Sequence, residues 1–241
     1  LPTAIVAEDL GIEESPSFEG ARNARSKIRM RECWQGKDWS LKFAEVTSQD
    51  SLEKAANSIG FPLILKMAAG VGGLAAEVLW SRGTVEGAYD RAKAKVMRGM
   101  ARLPDICQGF AEDDRFIVEE FVATDNLETA SQWPSELPQR APYFSVEGIV
   151  FKRQFFPVAI TDRYPRRAGC VESGAVTPSR LNPDLQSQAI HITNDAVGLL
   201  GLRTCAIHAE LIIDSSGNLR MLEIAARTGG VSTFAPGPLV S

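Results

Sequence analysis

Apolar positions recur along this chain with two periods, one near 3.6 and one near 2, and their succession predicts helices mixed with antiparallel strands. A basic stretch from Ala21 to Trp34 reads as one helix, and a strand-like piece follows at Phe43 to Val46. Leu52, Ala55, Ala56 and Ile59 then repeat at helical spacing, with Ser48 as N-cap and Gly60 as the stop. Phe61 to Leu65 is an apolar run ending in Lys66, the pattern of a buried strand. A glycine-rich loop leads to a short strand from Ala76 to Trp80. Thr84 is placed to cap a helix whose apolar face is Val85, Ala88, Tyr89, Ala92 and Val96.

The second half opens with a strand at Phe116 to Val122. A polar loop from Thr124 to Pro142 follows, marked by Pro134, Pro138 and Pro142. Tyr143 to Phe151 and Phe155 to Ile160 pair as a hairpin. Asn182-Pro183 opens a helix with the stripe Leu185, Ala189, Ile192, Ala196, Leu199 and Leu200, and Gly201 ends it. Thr204 to Ile213 and Asn218 to Ile224 form a second hairpin. There is no internal repeat. Strands in antiparallel pairs with helices between them argue for an α+β fold rather than a doubly wound sheet.

Composition narrows the function classes. The chain has 241 residues, enough for one large or two small domains. A formal net charge of -4 offers no basic field for nucleic acid or an anionic membrane. Cys33, Cys107, Cys170 and Cys205 show no CxxC pairing and read as reduced thiols of a cytoplasmic protein. Two histidines argue against a His-rich zinc site. No apolar run reaches membrane-spanning length, and no signal-peptide pattern stands at the start. The chain begins without methionine, and Leu1 to Glu19 looks like the tail of something upstream.

The chemistry concentrates in the second hairpin. With Ser215 to Asn218 as its loop, residue 214 pairs with 219 and Glu210 falls opposite Glu223. The flanking residues are apolar, so two adjacent carboxylates there repel each other and lose solvation. One must stay protonated or a cation must sit between them, and oxygen ligands on rigid strands suit Mg²⁺. The competing reading is a register off by one, with each glutamate paired to a surface cation. Arg227 follows four residues after Glu223 and is able to hold a carboxylate or phosphate bidentately. His208 points to the same face in this register, where an ordinary hydrogen-bonded histidine is the plainer reading.

Lys66 precedes Gly70-Val-Gly72-Gly73, whose backbone N–H groups can wrap phosphate oxygens. Gly70, Gly72 and Ala75 also satisfy the dinucleotide-binding form GxGxxA. That reading requires a crossover helix, which Ser81-Arg-Gly83 interrupts. No P-loop signature occurs. The strand Phe116-Ile-Val-Glu119-Glu120-Phe121-Val122 ends in two acids; its edge is able to meet an adenine, or it is a solvated strand end.

Taken in order, these motifs resemble the ATP-grasp superfamily over nearly the whole chain. They are Ala24-Arg-Ser-Lys27, Lys66 with its glycine loop, Val118-Glu-Glu-Phe-Val122, His208-Ala-Glu210 and Leu222-Glu-Ile-Ala-Ala-Arg227. Ser145-Val-Glu-Gly148, Phe156-Pro-Val-Ala-Ile160, Glu172-Ser173 with Thr177-Pro-Ser179, and Cys205-Ala-Ile-His208 make the likeness greatest to the dipeptide-forming L-amino-acid ligases. The resemblance implies two α+β subdomains clamping a nucleotide. Residues 1–20 would be the tail of an upstream domain, 21–117 a small subdomain, and 118–241 a large subdomain incomplete at its C-terminus.

The same resemblance implies ATP and Mg²⁺, with Mn²⁺ able to substitute. Lys27 and Lys66 would contact ATP, and Gly70, Gly72 and Gly73 would cover its phosphates. Glu119, Glu120, Phe121 and Val122 would hold the adenine, with Glu119 or Glu120 at its amine. Glu210 and Glu223 would bind the metal, and Arg227 would stabilise an acyl-phosphate. Glu147 and His208 are weaker substrate candidates, and Arg166 and Arg167 either line the substrate entrance or lie in a solvated loop. Four positions depart from the family pattern: Ala225 for asparagine, Met67 for proline, a glycine loop without serines, and Val231 for an aromatic residue.

The implied reaction joins a small carboxylic acid to an amine, both expected to be amino acids, with release of ADP and phosphate. No nucleic-acid or membrane partner is expected, and a homodimer would form through domains outside this chain. Three alternatives stay open: a non-catalytic ATP-binding module, a nicotinamide-binding oxidoreductase domain, and a ligase of the biotin-carboxylase or carbamoyl-phosphate type.

Overall fold

The structure is a computed structural model that describes residues 2–12, 14–70, 75–102, 115–122, 143–165 and 172–230. The expected loop at 124–142, Gly72, Gly73, Arg166, Arg167, Val231, Cys107 and Cys170 lie outside the described residues.

Two antiparallel sheets organise the chain, each covered by helices on its apolar face. The first sheet contains β1 (Phe43–Val46), β2 (Leu63–Met67), β3 (Glu77–Leu79) and β4 (Phe116–Glu120), in the order β1-β4-β2-β3. Its strands alternate. Leu63, Leu65 and Met67 of β2, with Phe116 and Val118 of β4, point into a core completed by α4 (Gln49–Ile59), α5 (Arg82–Val85) and α6 (Ala88–Arg102). Lys66, Ile117 and Glu119 point to the opposite face.

The second sheet contains β5 (Tyr143–Phe151), β6 (Gln154–Pro165), β7 (Glu172–Val176), β8 (Cys205–Ile213) and β9 (Leu219–Ala225), in the order β7-β6-β5-β8-β9. Its core face packs Phe144, Val146, Ile207, Ala209, Leu211 and Met221 against α7 (Pro183–Leu200) and residues from α2 (Phe18–Arg25) and α3 (Lys27–Cys33). A short α1 (Pro2–Asp9) packs on α2.

The sequence signals for helix ends act as expected in α4 and α7. The Ser48 side chain accepts from the Ser51 N–H, and Gly60 ends α4 at φ 93°. Asn182 caps α7 by accepting from Leu185 N–H at 2.9 Å, and Gly201 closes it in the left-handed region that glycine tolerates. Asn182→Ala should therefore cost about 1 kcal/mol, read as a lower urea midpoint with an unchanged slope.

Several expectations are corrected. The single helix over 21–34 is two helices, because Ser26 is extended (φ -112°, ψ 120°) and Lys27 N–H bonds to the Ala68 carbonyl at 2.8 Å. The strand expected from Phe61 starts at Leu63 and runs through Met67. Thr84 is not a cap. It sits in the one-turn α5, where its hydroxyl accepts from Ser81 N–H, and the long helix starts after Gly87. Leu199 is exposed, and Val197 and Thr193 take the buried places on α7. β7 escaped notice because Glu172-Ser-Gly-Ala-Val176 has no alternation to show. β4 pairs with β1 over 116–119 and with β2 over 116–120, which places it inside the first sheet.

α3 lies between the sheets. Its Ile28 packs with Ala68 and Ile117 on the polar side of the first sheet, while Met30 and the neighbouring Trp34 enter the core of the second. This wedge brings the two halves of the site together.

Candidate functional site

The centre of the site is the β8–β9 ladder, where Glu210 lies directly across from Glu223. The sequence reading placed them so, but by a different register. Ile213 pairs with Leu219 and Leu211 with Met221, one residue out of step with a straight 214-to-219 pairing. A β-bulge between Glu210 and Leu211, with Leu222 as the extra residue, restores the match. Without it Glu223 would follow Met221 by two positions and share its buried face.

Lys27 reaches this pair from the start of α3. Its Nζ lies 2.7 Å from Glu223 Oε2 and makes a long 3.5 Å contact to the Gly70 carbonyl. Burial opposes charge on both side chains, yet their mutual attraction prevails: Lys27 is raised and Glu223 is lowered from ordinary values. An ammonium thus already stands against the carboxylate that a divalent cation would share. Among the described residues no cluster of three or more His, Cys, Asp or Glu is arranged to hold a metal. Two facing carboxylates fit Mg²⁺, which takes one or two such ligands and completes its shell with water and phosphate oxygens.

Lys66 stands beside the pair on the first sheet. Its Nζ is 2.6 Å from Glu119 Oε2, and Glu119 Oε1 is 2.8 Å from Arg31 Nε. Glu119, expected at an adenine amine, is fully buried between these two cations. Burial pushes its carboxyl up, but Arg31 and Lys66 outweigh that and hold it below the usual carboxylate range. Glu120 is paired with Arg220 and accepts the Lys42 N–H at 3.0 Å. Phe121 N–H bonds to the Pro62 carbonyl at 2.9 Å, and Val122 follows, half-buried.

Glu147 and His208 are cross-strand partners on the same face as Glu210. His208 Nδ1 is 2.6 Å from Glu147 Oε1 and its Nε2 is 3.0 Å from Glu210 Oε1. Burial disfavours a charged imidazole, but the two carboxylates raise it to about 9. Both ring nitrogens then donate, so the Arg163 guanidinium at 3.5 Å from Nε2 is a like-charge neighbour rather than a hydrogen bond. Ser145 Oγ also donates to Glu147 at 2.9 Å, and Arg163 donates to Ser145 at 3.1 Å. A Cβ at Gly229 would meet His208 at 2.6 Å and Glu147 at 2.9 Å, so only glycine allows the loop after β9 to lie this close. Glu147 Oε1 is therefore held by His208 and Ser145, with Gly229 packed against the carboxylate. Arg227, on that same loop, is exposed and donates to the Thr228 carbonyl at 2.9 Å.

The structure brings together Lys27, Lys66, Glu119, Glu210, Glu223, His208 and Glu147. Sequence reasoning missed Arg31 and Arg163. The only local sign of Arg31 was its place four residues after Lys27, which puts both on one helix face.

Known proteins resemble this chain in sequence and in fold. The family described as "Carbamoyl-phosphate synthase L chain, ATP binding domain" matches residues 27–103. The chain is 29% identical over 230 residues to an alanine–anticapsin ligase of Bacillus subtilis and 28% identical to one of Bacillus amyloliquefaciens. Each alignment covers 95% of this chain and 46% of the relative, so the chain spans about half the length of the curated relatives it matches. Among solved structures, the biotin carboxylase–β-γ-ATP complex from Campylobacter jejuni superimposes with a TM-score of 0.71 at 18% identity, over 94% of this chain and 46% of that one. L-amino acid ligase from Bacillus licheniformis does so with a TM-score of 0.67 at 21% identity, over 96% and 47%. Among the described residues no helix is long and apolar enough to cross a membrane.

Proposed function

We propose, proceeding from the ATP-grasp fold that this chain adopts, that it forms the nucleotide-binding and catalytic core of an ATP-dependent ligase that joins two amino acids. The observation that carries this reading is the face-to-face pair Glu210 and Glu223, with the Lys27 ammonium against one of them. The relation to alanine–anticapsin ligases supports amino acids as the substrate class.

In this reading Glu210 and Glu223 would hold Mg²⁺, which when bound would neutralise charge on the terminal phosphates of ATP; Mn²⁺, also satisfied by oxygen ligands, would substitute. Lys27 exchanges Glu223 for a phosphate oxygen when nucleotide enters. Lys66, steadied by Glu119, meets the phosphates from the other sheet, and the backbone of Glu120 to Val122 borders the adenine. Gly70, Gly72 and Gly73 cover the phosphates. A substrate carboxylate oxygen bonds to the γ-phosphorus as the bridging oxygen leaves with ADP. The amine of the second substrate then bonds to the acyl carbon, and inorganic phosphate leaves as the nitrogen gives up its proton. Arg227 turns inward to stabilise the acyl-phosphate, and the loop shields it from water. The two subdomains of the clamp meet at α3, and the working enzyme is a cytoplasmic homodimer formed through domains outside this chain.

The test is phosphate and ADP release by the full natural chain with pairs of amino acids. Release that requires both members of a pair is the expected result. Release that requires bicarbonate instead would move the assignment to a carboxylase, the class of the biotin carboxylase neighbour, and release indifferent to every added acid would overturn both.

A further inference from the structure

We infer that Arg31 is a positioning residue for the metal–phosphate site, because it clamps the Leu222 bulge that turns Glu223 toward Glu210 and, through Glu119, also sets Lys66. The inference rests on the ligase reading of that site.

Arg31 is fully buried on α3. Its Nη2 donates to the Leu222 carbonyl at 2.7 Å, and its Nε pairs with Glu119 at 2.8 Å. Glu119 in turn grips Lys66 at 2.6 Å. One guanidinium therefore ties β9 of the second sheet to β2 and β4 of the first. Lys27, four residues earlier on the same helix face, holds the Glu223 carboxylate itself. The two side chains thus grip successive residues of β9, one by its backbone and the next by its side chain.

A bulge leaves its extra residue out of the regular ladder, so the Leu222 carbonyl needs a partner from elsewhere. Arg31 supplies it, and its planar fork reaches the carbonyl with one arm and the Glu119 carboxylate with another. The fork also lies over the Trp34 ring, its carbon 5.3 Å from the ring centre, and Trp34 donates to the Ala196 carbonyl at 3.2 Å. An ion pair with Glu119 alone would account for a buried arginine. It would not account for the second arm on the bulge next to a metal-binding carboxylate.

The discriminating variant is Arg31→Lys, which keeps a cation for Glu119 and loses the arm to Leu222. Titration calorimetry on the intact protein should show Mg-ATP binding weakened about tenfold, as outer-shell losses at metal sites do. Binding of ATP in EDTA should change by less than about twofold, since Lys66 keeps its partner. Hydrogen exchange on the wild type gives a second readout that needs no variant. Amides of 219–225 should be protected to the same extent with and without Mg-ATP, because the clamp sets the bulge in advance.

Arg31→Lys binding Mg-ATP as tightly as the wild type would overturn the inference while leaving the ligase reading intact. Free exchange across the bulge until Mg-ATP is added would do the same. A wild-type protein that binds no Mg-ATP would overturn both.

Discussion

Glu223→Gln is expected to lower ADP formation by at least about 10²- to 10³-fold at saturating Mg²⁺, with the protein still folded. The change is nearly isosteric and keeps an oxygen at the same place, but it removes the charge that binds a divalent cation. Lys27 then loses its carboxylate partner at 2.7 Å and must stay solvated or move to Glu210. The Lys27 and Glu223 side chains are 12% and 24% exposed, and the ammonium keeps Glu210 within its field, so losing this hydrogen-bonded pair costs roughly 1–3 kcal/mol and leaves the chain folded. Activity and stability should therefore separate. A variant with near-normal turnover would remove the facing carboxylates from the mechanism, and an unfolded one would mean that Glu223 serves the fold first.

Glu119→Gln should act the opposite way, lowering stability by about 3–5 kcal/mol because it strands two cations, one of them fully buried. The loss would appear as a large drop in the urea midpoint at neutral pH. Its pH dependence follows from the direction of the shift. Glu119 is held below its ordinary value of 4.5 in the folded chain, so its contribution is present above that value and is lost as pH falls through the lower folded value. The deficit of the variant should be full at pH 7 and should narrow on acidification below about pH 4.5. A deficit that stays constant with pH would mean that packing, not charge, holds this junction.

The two variants divide the site into a part that reacts and a part that supports. The sequence singles out Glu210, Glu223 and Lys66 by short local patterns, an acid in an apolar strand or a lysine closing one, and Lys27 only by the resemblance of Ala24-Arg-Ser-Lys27. It shows nothing of the contacts that support them. Glu119 looked like a strand-end acid facing a ligand, because nothing in Phe116-Ile-Val-Glu-Glu shows that a buried arginine lies against it. Glu147 stood only as a weaker substrate candidate, and Gly229 gave no sign that it packs on the Glu147–His208 pair. These judgements depend on residues far away in the chain: Arg31 and Leu222 are 191 positions apart, and His208 and Glu147 are 61 apart.

What the amino-acid order determined by itself is most of the strands and helices and the buried face of each, β7 and the break at Ser26 excepted. Caps such as Ser48 and Asn182, stops such as Gly60 and Gly201, and the alternation along β5 and β8 act over a few residues, so a linear reading recovers them. Only the tertiary structure decided how Glu223 reaches the face of Glu210. The straight hairpin drawn from the sequence pairs the right residues by the wrong route. The real ladder runs one residue out of step and is corrected at Leu222. A bulge has no local signature there, because its stray carbonyl is answered by an arginine from a helix near the other end of the chain.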